Sequence, residues 1–477
     1  MQKAVLKIIT RYFILHSLLF SLSFNAQNKI SSEEAKADLA YLHKYFKRFH
    51  PDPFKYISRD SLSSLSLRLQ NNIRDSITVT QLRLLIRQYL SKIGCGHIGV
   101  SPEKSKVKAP DKNILPLDVF VSGEKVFLAS SLNSDSTIKP GDEILSIDQN
   151  NSTIVLNKLM SISFSDGYNT TFKLHTLNKK QFRYFYSFAY GYNDSYDILY
   201  RNAKGEERSA ILKGIPVSSD TLIEKKEKKE LIFSSNNISL RKDVENNSLF
   251  ILDIDRFLGK KWRKTLRKSI KHLRKKNATD LIIDLRNNSG GSIIKGINLL
   301  SRTMNKPIAI GIDRRPNLLP LNFRLKMGFW QRITPLTFLT IPTKLIRHWK
   351  LRHFFIGIPR PFNRYKGNVY VLVNGGSFSM SSICASYLKY KRKAIIIGEE
   401  TGGNKTGSNA MNSGKLILPN SKANITIPLY HIYYNPTLHN DGKGVEPDHK
   451  INYEINDVLN KRDLEMEKVR SLIRDKG

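Results

Sequence analysis

From Leu249 onward the chain alternates buried-type strands with helical stretches, a pattern that leaves few folds open. Leu249-Phe-Ile-Leu-Asp-Ile reads as a strand, residues 261–276 as a helix and Leu281-Ile-Ile-Asp-Leu as a second strand. Val369-Tyr-Val-Leu-Val, a helix from about Ser379 to Tyr390, and Ala394-Ile-Ile-Ile-Gly follow. Continuous apolar runs belong to strands covered on both faces, so a mostly parallel sheet under helices is expected, an α/β core. In such sheets ligands gather in the loops at the strand C-termini.

Three of those loops are unusual. The first is Asp284-Leu-Arg286-Asn287-Asn288-Ser289-Gly290-Gly291, a polar Gly-rich turn opening a helix, which aims backbone N–H groups at a phosphate or an oxyanion. The second, Asn374-Gly-Gly-Ser377-Phe378-Ser379-Met380-Ser381-Ser382, puts serines at a strand-to-helix junction. A serine there caps the helix or, with its hydroxyl at the helix's positive end, acts as a nucleophile. The third is Gly398-Glu-Glu-Thr-Gly-Gly-Asn404-Lys405-Thr-Gly. Each alone also fits a plain connector.

Upstream the pattern changes. Lys3, Lys7 and Arg11 precede a short apolar run from Tyr12 to Phe24 and a small residue, Ala26, which is the form of a secretory signal peptide. Ser32-Glu-Glu-Ala starts a helix with Leu39, Leu42, Tyr45 and Phe46 at three- and four-residue spacing, and His50-Pro-Asp-Pro stops it. A further helical stretch from Thr80 leads into Cys95-Gly96-His97-Ile98-Gly99. Residues 101–215 carry short alternating runs between Gly, Asn, Asp and Ser clusters and read as mostly β. The division is 1–26 signal peptide, 27–100 helical region with the Gly-His motif, 101–215 β-rich domain, 216–245 charged linker and 246–477 core.

Charge narrows the partners. Lys and Arg number 78 against 41 Asp and Glu, a net charge of +37, which suits nucleic acid, an anionic membrane or acidic substrates. Export sets nucleic acid aside and places the protein in the periplasm, on the outer surface or in the medium. The two cysteines, Cys95 and Cys384, exclude a disulfide framework and a four-thiolate zinc site, and no metal or cofactor is expected.

Together these motifs resemble the C-terminal processing and tricorn-type serine peptidases. The resemblance runs over nearly the whole mature chain: the His-Pro-Asp-Pro step, the Gly-His motif, Ile138-Lys-Pro-Gly-Asp-Glu-Ile in a PDZ-like segment, the three loops, and Gly444-Val445-Glu446-Pro447-Asp448. It implies a crotonase/ClpP-like ββα core, a helical N-terminal region and a small β-rich PDZ-like domain that holds the substrate's tail. It implies Ser379 as nucleophile, with Met380 and Gly290 or Gly291 supplying oxyanion N–H groups. For the base the family offers two solutions. The tricorn-like one falls on His97, with Asp441 as its orienting carboxylate; the processing-type one falls near Lys405, with Asn404 at the lysine's position. Ser379, His97 and Asp441 are preferred, because a neutral imidazole takes a proton near pH 7 without first being desolvated. Cys95, two residues before His97, reads as a buried inert thiol, and Ser382 replaces an acidic residue common in the family.

From Arg314 through Gly398 there are 16 Lys or Arg and no acid. Its middle, an insertion at 312–366, mixes basic and aromatic residues, which suits a substrate-binding lid, an anionic membrane surface or an ordinary solvated rim. The helix at 261–276 has Trp262, Leu266, Ile270 and Leu273 on one stripe and basic residues around it, the pattern of a solvated helix packed on the sheet. The overall expectation is an exported serine peptidase acting on peptides or unfolded proteins. The alternatives are a non-catalytic binding protein on the same fold and a polyanion binder.

Overall fold

The computed structural model describes residues 29–475 apart from 102–111, 133–136, 220–229, 247, 305–307, 315–324, 327–345, 351–352, 359–362 and 435–437. The signal-peptide segment and most of the basic insertion lie outside the described residues.

Three helices come first among the described residues: α1 (Ser32–Phe49), α2 (Arg59–Asn71) and α3 (Val79–Ser91). A capping box between Ser31 and Glu34 starts α1, and His50 ends it in extended backbone, as the following proline requires. Leu39, Leu42, Phe46 and Phe49 are buried in the main core. The buried carboxylate of Asp38 accepts the N–H groups of Asn420 and Ser421 at 2.9 and 2.8 Å, pinning α1 to a distant hairpin turn. Thr78 and Gln81 form a second capping box ahead of α3, whose C-terminus delivers the Gly-His loop.

The next unit is an antiparallel sheet of β1 (Leu117–Ser122), β2 (Lys125–Ser131), β3 (Glu143–Ile147), β4 (Ser195–Arg201) and β5 (Glu207–Lys213), in spatial order β5-β4-β3-β2-β1. Between β3 and β4 the chain is helical: α4 (Ser152–Ser161), α5 (Thr171–Thr176) and α6 (Phe182–Tyr190). This corrects the mostly-β reading of 101–215. Aromatic residues such as Phe182 and Tyr186 pack α6 onto the sheet, so burial outweighs their modest helix propensity.

The core sheet has seven strands in the order β6-β7-β8-β9-β12-β13-β16. They are β6 (Phe233–Ser235), β7 (Ile238–Lys242), β8 (Leu249–Asp253), β9 (Asp280–Asp284), β12 (Asn368–Val373), β13 (Ile395–Gly398) and β16 (His449–Lys450). From β8 to β16 every pair is parallel. β6 and β7 lie within the stretch expected to be a linker, yet they join this sheet antiparallel to β8. The longer helices are α7 (Trp262–Lys275), α8 (Ile293–Thr303), α9 (Met380–Tyr387) and α10 (Leu464–Arg474).

A second, antiparallel sheet centres on β14 (Gly407–Ile417) and β15 (Asn424–Tyr433), with β10 (Ile308–Arg314) and β11 (His353–Ile358) on one side. The insertion's described strands therefore extend this sheet. The short strand Gly99–Ser101 pairs with Asn424–Thr426 of β15, which anchors the Gly-His loop from its C-terminal side.

Candidate active site

Ser379 stands between β12 and α9 with φ 56° and ψ −118°. An L-residue pays for such backbone only when its surroundings impose it, and the neighbouring serines impose it here. Ser377 Oγ donates to Leu285 O, Ser381 Oγ to Asn288 O and Ser382 Oγ to Ser377 O, each at 2.8 Å. Phe378 N donates to Asn288 O at 3.0 Å. Three of the four serines thus hold the turn, and the fourth presents its hydroxyl elsewhere. Ser382, where an acid was noted as common, is one of the turn's clamps.

That hydroxyl meets His97. Ser379 Oγ lies 3.2 Å from His97 Nε2, across 282 positions of sequence. The imidazole's other nitrogen, Nδ1, lies 3.3 Å from Ser408 Oγ, and Ser408 Oγ donates to Asp166 Oδ2 at 2.8 Å. These contacts assign the tautomer. The single hydroxyl hydrogen of Ser408 goes to the carboxylate, so Ser408 receives the Nδ1–H of His97, leaving Nε2 with a free lone pair toward Ser379. Asp166 is buried, and its Oδ1 accepts Gly96 N at 2.8 Å, which fixes the backbone beside the histidine.

Burial holds the His97 pKa below the ordinary histidine value, and the negative charge of Asp166 offsets part of that. The ring is therefore neutral at pH 7, as a base must be. Phe378 lies against His97 with ring centroids 4.6 Å apart and stacks on Phe172 at 4.5 Å, so an aromatic wall keeps solvent from that side. Cys95 is buried, desolvation raises its thiol pKa, and its Sγ points to Asn409 O at 3.7 Å, which leaves it chemically inert.

Two expected residues are placed otherwise. The carboxylate behind His97 is Asp166, reached through Ser408; Asp441 accepts Lys405 Nζ at 2.6 Å instead. Partial burial works upward on Asp441, but the hydrogen bond and charge of Lys405 keep its pKa below the carboxylate range. Lys405 Nζ is thereby engaged by a carboxylate, a poor arrangement for a base. Asn404 is buried in its own network, donating to Tyr56 Oη and Asn440 Oδ1. Neither Ser408 nor Asp166 carried a local sequence signal. Ser408 sits in β14, and Phe164-Ser-Asp-Gly reads as a turn.

The oxyanion side is equally specific. Gly290 N donates to Asn288 Oδ1 at 2.9 Å, so that amide is already committed. Gly290 contributes space instead: a Cβ there would lie 2.7 Å from Ser379 Cβ and 2.9 Å from Met380 N. Met380 is the first residue of α9, where a helix N–H has no internal partner. The Met380 and Gly291 amides make no hydrogen bond among the described residues. These two amides are therefore open to an acceptor, whereas the Gly290 N–H, expected as an alternative donor, is occupied by Asn288.

Residues 249–451 match the sequence profile of peptidase family S41. This segment resembles peptidase family S41. Among solved structures, mature CPAF complexed with lactacystin superposes with a TM-score of 0.64 at 18% identity, covering 93% of this chain and 98% of that one. A CPAF mutant gives 0.64 at 18% identity over 90% and 95%, and mature CPAF 0.62 at 18% over 90% and 94%. At that identity the likeness shows the fold. No curated protein sequence matches. The S41 core is that of a serine peptidase, a hydrolase acting on peptide bonds, so its substrates are peptides or proteins. The matched S41 segment contains Ser379, Met380, Gly291 and Ser408, whereas His97 and Asp166 come from the two units that precede it.

Proposed function

We propose that this protein is an exported serine peptidase that cleaves peptide bonds through an acyl-enzyme on Ser379, with His97 as general base. The observation that carries the reading is the 3.2 Å approach of His97 Nε2 to Ser379 Oγ, with Nδ1 satisfied from behind. In this scheme His97 takes the serine proton as Oγ attacks the scissile carbonyl. The N–H groups of Met380 and Gly291 receive the developing oxyanion, worth about 3–4 kcal/mol per donor. The imidazolium then returns its proton to the leaving amine, and water repeats the sequence to release the acyl group. Through Ser408, Asp166 orients the ring and stabilises its charged form.

Export rests on the N-terminal sequence, and tail capture by the PDZ-like unit on the resemblance of Ile138–Ile144 to that turn and strand. A fluorophosphonate probe tests the chemistry. Labelling of the wild type that is lost in Ser379→Ala and slowed about a thousandfold in His97→Ala is expected. Absence of labelling in the wild type rejects the peptidase mechanism in favour of a binding protein.

A further inference from the structure

The N-terminus of α7 is built against the usual rules. Lys261 occupies the cap position in left-handed backbone, φ 60°, and no side chain caps the helix. No acid lies in the first turn, which carries Arg263 and Lys264 instead. The first helical N–H groups have no partner within a helix, and cations beside them oppose the helix dipole. Such an end is relieved by an anion.

A cavity of about 500 Å³ opens at this place, lined by Lys261, Arg263, Lys264 and Arg267 from α7 and its cap, and by Lys295 and Arg302 from α8. No carboxylate lines it, and none of these six cations makes an ion pair among the described residues. Trp262 also lines it; the residue is 1% exposed and packs into the core, and its buried indole Nε1 has no hydrogen-bond partner among the described residues. A buried N–H without an acceptor points to something missing. Burial, and then the charge of Arg267, lower the Arg302 pKa, consistent with cations crowded without compensation.

We propose that this cavity is a binding site for a small phosphorylated anion, separate from the Ser379 site and independent of the peptidase reading. Guanidinium forks, ammonium groups and helix N–H groups together recognise phosphate oxygens, and the cavity admits a phosphate ester or pyrophosphate. The phosphate comes either from a soluble molecule or from a phosphomonoester lipid headgroup.

Isothermal titration of the full mature chain with inorganic pyrophosphate at near-physiological salt tests the site, using Ser379→Ala so that proteolysis plays no part. Saturable binding of one pyrophosphate per chain is expected, weakened about tenfold or more in Lys264→Gln/Arg267→Gln. Lys271→Gln/Lys275→Gln, an equal charge change on exposed residues further along α7, keeps wild-type affinity. Co-sedimentation with phosphatidylcholine vesicles containing phosphatidic acid or phosphatidylglycerol separates the sources. Preference for phosphatidic acid that the Lys264/Arg267 double variant loses assigns the lipid; pyrophosphate binding without that preference assigns the soluble ligand. No saturable pyrophosphate binding, or an equal loss in both double variants, overturns the proposal.

Discussion

His97 Nδ1 lies 3.3 Å from Ser408 Oγ, so the histidine's second nitrogen faces a hydroxyl and not a carboxylate. The negative charge stands one step further back, on Asp166, where Ser408 passes its hydrogen. The arrangement predicts a graded response. Ser408→Ala removes the acceptor for Nδ1–H and lowers kcat/KM about ten- to a hundredfold. Asp166→Asn keeps the shape, removes the charge that stabilises the imidazolium, and costs about a hundredfold or more. Steady-state kinetics on a peptide substrate decide the matter, and wild-type activity in Asp166→Asn excludes the relay.

The pH profile follows from the same contacts. Nε2 must be unprotonated, so kcat/KM falls as pH drops through the His97 pKa, which burial places below 6.5. Asp166 pulls that pKa upward, so in Asp166→Asn the acid limb moves to lower pH while the plateau drops. A limb above 6.5 in the wild type, or an unmoved limb in the variant, contradicts the assignment.

Lys405 and Asp441 form a different kind of pair, joined at 2.6 Å, with Lys405 mostly buried and Asp441 about one-third exposed. As structural partners they are predicted to tolerate replacement. Lys405→Met and Asp441→Asn keep kcat/KM within about tenfold of wild type, and each lowers stability by about 1 kcal/mol, the scale of a partly exposed ion pair. Loss of activity in Lys405→Met comparable with His97→Ala makes the lysine the base.

The contrast between these groups shows what local sequence carries. Ser379, Met380 and the Gly-Gly turn were legible because a strand-to-helix junction with a fixed spacing is a local object. His97 was legible as a Gly-His turn after a helix. Asp166 was not, because its place depends on the loop between α4 and α5 docking on the Gly-His loop, through Gly167 N to Gly94 O at 2.9 Å, and on Ser408 arriving from 242 positions away. The alternating strands and helices of the core were likewise readable, whereas α4 to α6 were hidden in a segment whose turn residues imitate β structure. Asp441 shows the opposite failure: a carboxylate at the right distance along the chain is drawn to a nearer cation.

His431 offers a test of stability. Burial, and then the charge of Lys55, push its pKa down to about 4, while the unfolded chain titrates near 6.5. The unfolded state therefore binds the extra proton first, and stability falls as pH drops from 6.5 to about 4, below which this contribution is flat. Over that window the loss amounts to about 3 kcal/mol. In His431→Gln, which retains a partner for Asn409 Oδ1, urea unfolding at pH 7 and at pH 4.5 shows a correspondingly smaller difference. An identical pH dependence in the two proteins removes His431 from the account.

Gly290 gives the most restrictive prediction. Its φ of +93° is poorly accessible to any L side chain, and an added Cβ would meet Ser379 Cβ at 2.7 Å, Phe378 O at 2.8 Å and Met380 N at 2.9 Å. Two of these atoms are backbone and the third belongs to the nucleophile, so nothing flexible is available to yield. The Gly290 carbonyl also accepts Phe257 N at 3.0 Å, which prevents the turn from swinging away. Gly290→Ala must therefore displace Ser379 and the Met380 amide together, separating the proposed nucleophile from both the proposed base and the proposed oxyanion donor. A loss of kcat/KM of about a hundredfold or more is expected, with destabilisation of about 1–3 kcal/mol. Gly205, on an exposed turn with φ +84° and open space around it, supplies the control: Gly205→Ala suffers a comparable backbone cost without touching the site. Fluorophosphonate labelling rates and thermal melts of the two variants separate the effects. Labelling of Gly290→Ala at the wild-type rate shows that the turn does not shape the nucleophile's environment.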